Sequence, residues 1–157
     1  MVQQNIVYSG KKGTESWTRI ADTGSTNYTD RSAASGTTYA YTVRCIKADG
    51  KFASDYDKNG KSLIRLSTGN VKSIANAAKG MRLTWTKING AQGYIIYRAY
   101  GSGAYKAIKT ITSGTTLNYT DTSATVNGGK YSYAVCGYRG SVKGAYTGKS
   151  YYCLTQT

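Results

Sequence analysis

Most of this chain occurs twice, and that limits its fold more than any other feature of the sequence. Asn27-Tyr28-Thr29-Asp30 returns as Asn118-Tyr119-Thr120-Asp121, and Tyr39-Ala40-Tyr41-Thr42-Val43 returns as Tyr131-Ser132-Tyr133-Ala134-Val135, at offsets of 91 and 92 residues. In the same order Ile6-Val7-Tyr8 corresponds to Ile95-Ile96-Tyr97, Arg19-Ile20 to Ala107-Ile108, and the run from Lys61-Ser62 to Leu66 to that from Lys149-Ser150 to Leu154. A period of about 90 residues exceeds a solenoid unit and equals a whole small β domain, so tandem modules are expected. The second copy, 67–157, reads as complete. The first, 1–66, begins in mid-module, because nothing before Asn5 corresponds to the stretch from Val71 to Gly93.

Composition agrees with β structure. The 157 residues, 39% of them hydrophobic, suffice for one or two small domains with real cores. Sixteen tyrosines and the lack of histidine and proline, with abundant Thr, Gly and Ser, favour strands and turns over helices. Charge is uneven: residues 1–66 hold ten Lys/Arg against six Asp/Glu, net +4, and residues 67–157 hold eleven against Asp121 alone, net +10. Such a field favours polyanions, whether nucleic acid, anionic wall polymers, sulfated glycans or acidic membranes, although scattered cations also describe a plain solubilising surface. Residues 1–25 contain no apolar run suited to a signal peptide, and no run of about eighteen apolar residues marks a membrane span, so export, if it occurs, is expected to be directed by a segment outside this chain. Cys45, Cys136 and Cys153 form no CxxC pair, and without histidine they support neither a zinc site nor a redox motif.

Period-two patterning dominates. Met81, Leu83 and Trp85 alternate with polar residues, and Asn89-Gly90-Ala91-Gln92-Gly93 supplies a turn before Tyr94-Ile95-Ile96-Tyr97. Further strands are expected around Tyr105–Ile111, Asn118–Thr120, Tyr131–Tyr138 and within Val142–Leu154, giving about seven strands per module and no long helix. Trp85 reads as the core anchor. Tyr39, Tyr41 and Val43, like Tyr131, Tyr133 and Val135, alternate so that one strand face enters a core. Cys45 continues that inward set and is expected to be a buried thiol, whereas Cys136 is expected to point outward; a Cys136–Cys153 link is one alternative for the last two strands. Asp49-Gly50 reads as a type I′ hairpin turn.

Leu83-Thr84-Trp85-Thr86-Lys87-Ile88-Asn89-Gly90-Ala91-Gln92-Gly93-Tyr94-Ile95-Ile96-Tyr97-Arg98, followed by Asn118–Asp121 and Tyr131–Val135, resembles the fibronectin type III-like modules found in tandem in surface and secreted proteins of Gram-positive bacteria. In the first copy Trp17-Thr18-Arg19-Ile20, Asn27–Asp30, Tyr39–Val43 and Tyr56–Leu66 resemble the later two-thirds of such a module. The resemblance implies an all-β, immunoglobulin-like antiparallel sandwich, one complete and one partial copy, in an extracellular or cell-wall setting. Tyr39 and Tyr131 fall where such sandwiches place a tyrosine corner.

The residues offer little catalytic chemistry. Without histidine there is no Ser-His or Cys-His pair, and Asp121 alone cannot supply paired carboxylates, so a non-enzymatic protein without a cofactor is expected. Gly101-Ser102-Gly103 and Gly148-Lys149-Ser150 lack the remainder of a phosphate loop, and Gly60-Lys61-Ser62 marks the latter as a repeat feature. Asp55, Asp57 and Asn59 match the first positions of a calcium loop, but no Glu stands at the twelfth. Asn27-Tyr28-Thr29 and Asn118-Tyr119-Thr120 match a glycosylation sequon, and their equivalent placement reads instead as strand-forming repeat residues.

Tyrosines and cations interleave over Tyr97–Lys109 and Lys130–Lys149, a pattern suited to stacking on rings while holding anionic groups. Tyr97, Arg98, Tyr105, Lys106 and Arg139 are the candidate ligand-binding residues. Ile95, Ala134, Cys136 and Tyr138 are the candidate interface, since the alternation sends them to the outer face of a sheet. The expected role is a spacer and adhesive surface for anionic polymers or glycans. One alternative is a homo-oligomeric or strand-swapped assembly that completes the first module; another is an accessory domain of a carbohydrate-active enzyme. Nucleic acid is the weaker polyanion, because no recognition helix or RNA-binding motif accompanies the charge.

Overall fold

The computed structural model describes residues 2–12 and 16–153, and its regular elements are strands, with no helix among the described residues. The chain divides into two compact units, Met1–Arg65 and Leu66–Thr157.

The second unit contains β5 (Gly69–Asn76), β6 (Met81–Trp85), β7 (Gly93–Tyr100), β8 (Lys106–Ile111), β9 (Asn118–Asp121), β10 (Lys130–Arg139), β11 (Val142–Lys143) and β12 (Tyr146–Tyr152). Hydrogen bonding runs β8-β7-β10-β12-β5-β6-β9, with β11 beside β10. All pairings are antiparallel except a short parallel one between β12 and β5, where Tyr146 meets Gly69 and Thr147 meets Asn70. This path folds over on itself, so that β5-β6-β9 forms one layer and β8-β7-β10-β12 the other. Met81, Leu83 and Trp85 meet Tyr94, Ile96, Tyr133 and Val135 between the layers, all nearly inaccessible to solvent, and Trp85 contacts the Tyr94 ring edge-on at 5.4 Å. The alternation that marks these strands in sequence is the alternation that fills the core.

A buried polar cluster ties the layers together. Asp121 on β9 is 2% exposed; it accepts hydrogen bonds from Tyr133 on β10 at 2.8 Å, from Arg98 on β7 at 2.8 Å and from Ser123. The tyrosine corner forms as expected: the Tyr131 hydroxyl accepts the Val126 N–H, and the Tyr39 hydroxyl accepts that of Ala34.

The first unit contains β1 (Val2–Lys11), β2 (Thr18–Thr23), β3 (Thr38–Lys47) and β4 (Lys61–Ile64) in the order β2-β1-β3-β4, antiparallel throughout. It reproduces β8-β7-β10-β12. Among the described residues of this unit nothing reproduces the β5-β6-β9 layer. Asn27–Asp30, the counterpart of β9, carries no strand, because a strand exists only where a neighbour pairs with it and the partner of β9 is β6. The segment is nonetheless held in the equivalent place, with Tyr41 donating to Asp30 at 2.9 Å as Tyr133 does to Asp121.

Three expectations are corrected. The inward set Tyr39, Tyr41, Val43 is only partly covered, with Val43 49% exposed, and Cys45 on that face is half-buried rather than buried, its thiol donating to Asn5. The Asp49-Gly50 turn is not type I′, since Gly50 has positive φ but Asp49 does not. The Gly50 N–H instead bonds the Lys47 carbonyl and the Lys47 N–H bonds that of Lys51, a longer hairpin loop with Gly50 in the left-handed position. All three cysteines are free thiols.

Candidate functional site

Each unit carries an aromatic cluster on the sheet face turned away from the sandwich interior, and the two are built alike. In the second unit Tyr97 on β7 stacks on Tyr146 at 4.8 Å, and Tyr105, just before β8, meets Tyr146 edge-on at 6.1 Å. Beneath lies a floor of small residues, with Ala134 on β10 paired to Gly148 on β12. Tyr105 reaches across β12 because position 148 has no side chain; a Cβ there would overlap its hydroxyl. In the first unit Trp17 takes the place of Tyr105 and crosses Gly60, the counterpart of Gly148. A Cβ at Gly60 would stand 2.6 Å from Trp17 Cη2 and 2.8 Å from the Tyr41 carbonyl oxygen. Tyr8 takes the place of Tyr97, and Tyr56 meets Trp17 edge-on at 6.5 Å. The repeated Gly-Lys-Ser is thus the seat of an aromatic ring and not part of a phosphate loop.

Besides the exchange of Tyr105 for Trp17, the clusters differ on the strand beneath them. Where the second unit has Cys136, the first has Arg44. Its guanidinium stacks on Phe52 at 3.5 Å and lies 5.5 Å from the Tyr56 ring, while Nε donates to the Ser54 carbonyl and Nη2 stands 3.8 Å from the exposed Asp55 carboxylate. Tyr8, Trp17, Arg44 and Tyr56 line a cleft of about 140 Å³. In the second unit burial raises the pKa of the Tyr97 hydroxyl, with smaller contributions from Cys136 and Tyr146, and burial likewise raises that of the Cys136 thiol, which stays protonated and donates to the Gly144 carbonyl. Neither group supplies a nucleophile at neutral pH.

The residues singled out in sequence separate accordingly. Tyr97 and Tyr105 come together around Tyr146, which sequence reasoning passed over although it stands within the Tyr-rich, basic stretch. Arg98 is on the opposite face. Burial opposes its charge, but the hydrogen bond and ion pair with Asp121 outweigh that and raise its pKa. Lys106 pairs with Arg98 across β7 and β8 and is exposed. Arg139 lies at the far end of β10, donating to the Gly90 carbonyl. Of the interface candidates, Ala134 and Cys136 do lie on the outer face and are 0% and 1% exposed. Ile95 is buried as well, and Tyr138 half-buried.

The architecture is a fibronectin type III-like, immunoglobulin-like antiparallel β-sandwich. Among solved structures the chain is similar to that of FN3tt mut, with 23% identity and TM-score 0.45 over 55% of this chain and 94% of that one. It is similar also to the FN1–FN3 domains of chicken CNTN1, with 12% identity and TM-score 0.46, over 97% of this chain and 54% of that one. No family model and no curated protein matches the sequence. Among the described residues no group of three or more Cys, Asp or Glu side chains is placed to hold a metal ion, and no helix is long and apolar enough to cross a membrane.

Proposed function

We propose that this chain is a non-enzymatic pair of modules from a bacterial cell-surface or secreted protein, a spacer whose outward aromatic clusters bind glycan chains, with its cations favouring anionic ones. One observation carries the reading: Tyr8/Trp17/Tyr56 and Tyr97/Tyr105/Tyr146 lie on the same sheet face in the two units, with Trp17 seated on Gly60, just before β4, and Tyr105 on Gly148 of β12. Packing alone requires an apolar cover; the partly exposed rings of Trp17 and Tyr146 also offer flat faces on which sugar rings stack. Two such surfaces on one chain multiply weak contacts through effective concentration.

The test is retention of the 157-residue chain on immobilised neutral and anionic glycans over a salt series, beside Trp17→Ala and the double variant Tyr105→Ala/Tyr146→Ala. Both variants are expected to lose retention at every salt concentration. Charge alone would instead yield retention that vanishes as screening shortens below about 8 Å and is indifferent to the aromatic changes, and that outcome would refute the reading.

A further inference from the structure

The opposite face of the first unit's sheet is an open groove of about 760 Å³, floored by Val7, Tyr39, Tyr41 and Val43 and walled by the Thr23–Asp30 segment. The second unit shows what covers this face when the sandwich is closed. Val135 and Tyr133, the counterparts of Val43 and Tyr41, are 0% exposed beneath β5 and β6, and β9 pairs antiparallel with β6, Met81 opposite Asp121 and Leu83 opposite Tyr119. In the first unit the wall segment already stands at the β9 position, held by the Asp30–Tyr41 hydrogen bond.

We propose that this groove accepts a β-hairpin with the pattern of β5–β6, an additional polypeptide segment whose alternating apolar residues fill the groove and whose second strand pairs antiparallel with Asn27–Asp30. The β5–β6 hairpin of a second copy does not fit this role. Met81, Leu83 and Trp85 are buried in their own core, and withdrawing them exposes as much as insertion covers. Nor does the sheet face of a second copy. The open area spans two to three strand spacings of about 4.8 Å by a strand length of roughly 17–20 Å, some 160–290 Å² in plane, well short of the ~800 Å² per partner of a stable complex, and the wall segment borders it. A hairpin adds backbone hydrogen bonds to the small apolar area, as strand addition does elsewhere.

The probe is a synthetic peptide with the sequence Ser67–Ile88, titrated onto the 157-residue chain and followed by amide hydrogen exchange. The expected result is at least about tenfold slower exchange at Tyr28–Asp30, abolished when Trp85→Ala and Leu83→Ser are placed in the peptide. Because a free hairpin of this length is marginally stable, the same sequence is also fused ahead of Met1 through a flexible linker, where the protection is expected to be independent of concentration. Unchanged exchange in both formats overturns the proposal. So does protection of the same amides in the parent chain that grows with its own concentration, which would make a second copy the occupant. Glycan retention, read on the outer face, is independent of either result.

Discussion

Val43 and Val135 occupy the same place in the repeat, on the same strand and the same face, yet the first is half-exposed and the second completely buried. The difference lies in what is opposite them. In the second unit two layers share a core; in the first, the best-covered side of the sheet is the outer one, where Ile6, Ala40, Thr42 and Ile64 are buried in the unit that carries the Trp17–Tyr56 cluster. A strand sequence therefore does not by itself specify which of its faces is interior. The aromatic cluster that decorates a finished sandwich in one unit lies on the better-covered face of a single sheet in the other.

The largest effect expected from this contrast is at Trp85. Trp85→Ala should cost roughly 3–5 kcal/mol by chemical denaturation of the second unit, whereas Val43→Ala in the first should cost well under about 1 kcal/mol, since its side chain is already half in water. A Val43→Ala cost near that of a buried valine would mean the face is covered in solution.

Next comes the polar tie between layers. Burial pushes the Asp121 carboxyl up, but hydrogen bonds from Ser123, Tyr133 and Arg98 outweigh it and hold the pKa below the usual value. A carboxylate depressed on folding contributes stability that is complete above its unfolded pKa of about 3.9 and is lost as pH falls through the folded value. The second unit should accordingly lose stability below about pH 4, and Asp121→Asn should flatten that acid limb while lowering stability at neutral pH by about 2–3 kcal/mol, less than for a fully buried pair because Arg98 is partly exposed. Asp30→Asn in the first unit should cost under about 1 kcal/mol. Equal acid sensitivity in Asp121→Asn and the parent chain would show that other carboxylates govern the limb.

Smaller effects separate the two glycine seats. Gly60 combines φ of +60° with the Tyr41 backbone behind it, so Gly60→Ala should cost about 1–2 kcal/mol. Gly148→Ala meets only the end of the Tyr105 side chain; the ring swings aside, and thermal unfolding should shift by less than about 1 kcal/mol while retention on glycans falls. Smallest is a purely kinetic difference. Under native conditions a thiol reagent should label Cys45 first, with Cys136 and Cys153 reacting at the rate at which the second unit opens.

The fold and the repeat were legible because period-two patterning and two copies of the same motifs constrain each other. The Trp85 anchor followed from the local alternation, and the tyrosine corners from the resemblance to fibronectin type III-like modules. The candidate binding set separates where strand parity was set aside: Tyr97 and Arg98 are neighbours in sequence and therefore on opposite faces, one among the rings and the other on Asp121. Tyr146 was missed because its place beside Tyr97 depends on how the chain turns through β11 into β12, a non-local matter of register. Burial of Cys136 and Ala134 was equally non-local, given by rings from Tyr105 and Tyr146. The Asn27–Asp30 segment shows the limit most plainly, since its sequence is that of β9 and only the absent pairing distinguishes them.

The second unit has one acidic side chain, and it is inside. Once Arg98 is neutralised there, the other ten Lys and Arg side chains of 67–157 have no carboxylate side chain of their own module to meet. Its surface then acts as a short polycation without built-in counterions, held instead by water and by backbone carbonyls such as that of Lys72, which Lys149 contacts at 3.0 Å. Such modules repel one another at low ionic strength and draw together only when salt or an external polyanion supplies the missing charge. Their spacing at high concentration would therefore be set by the medium as much as by the chain.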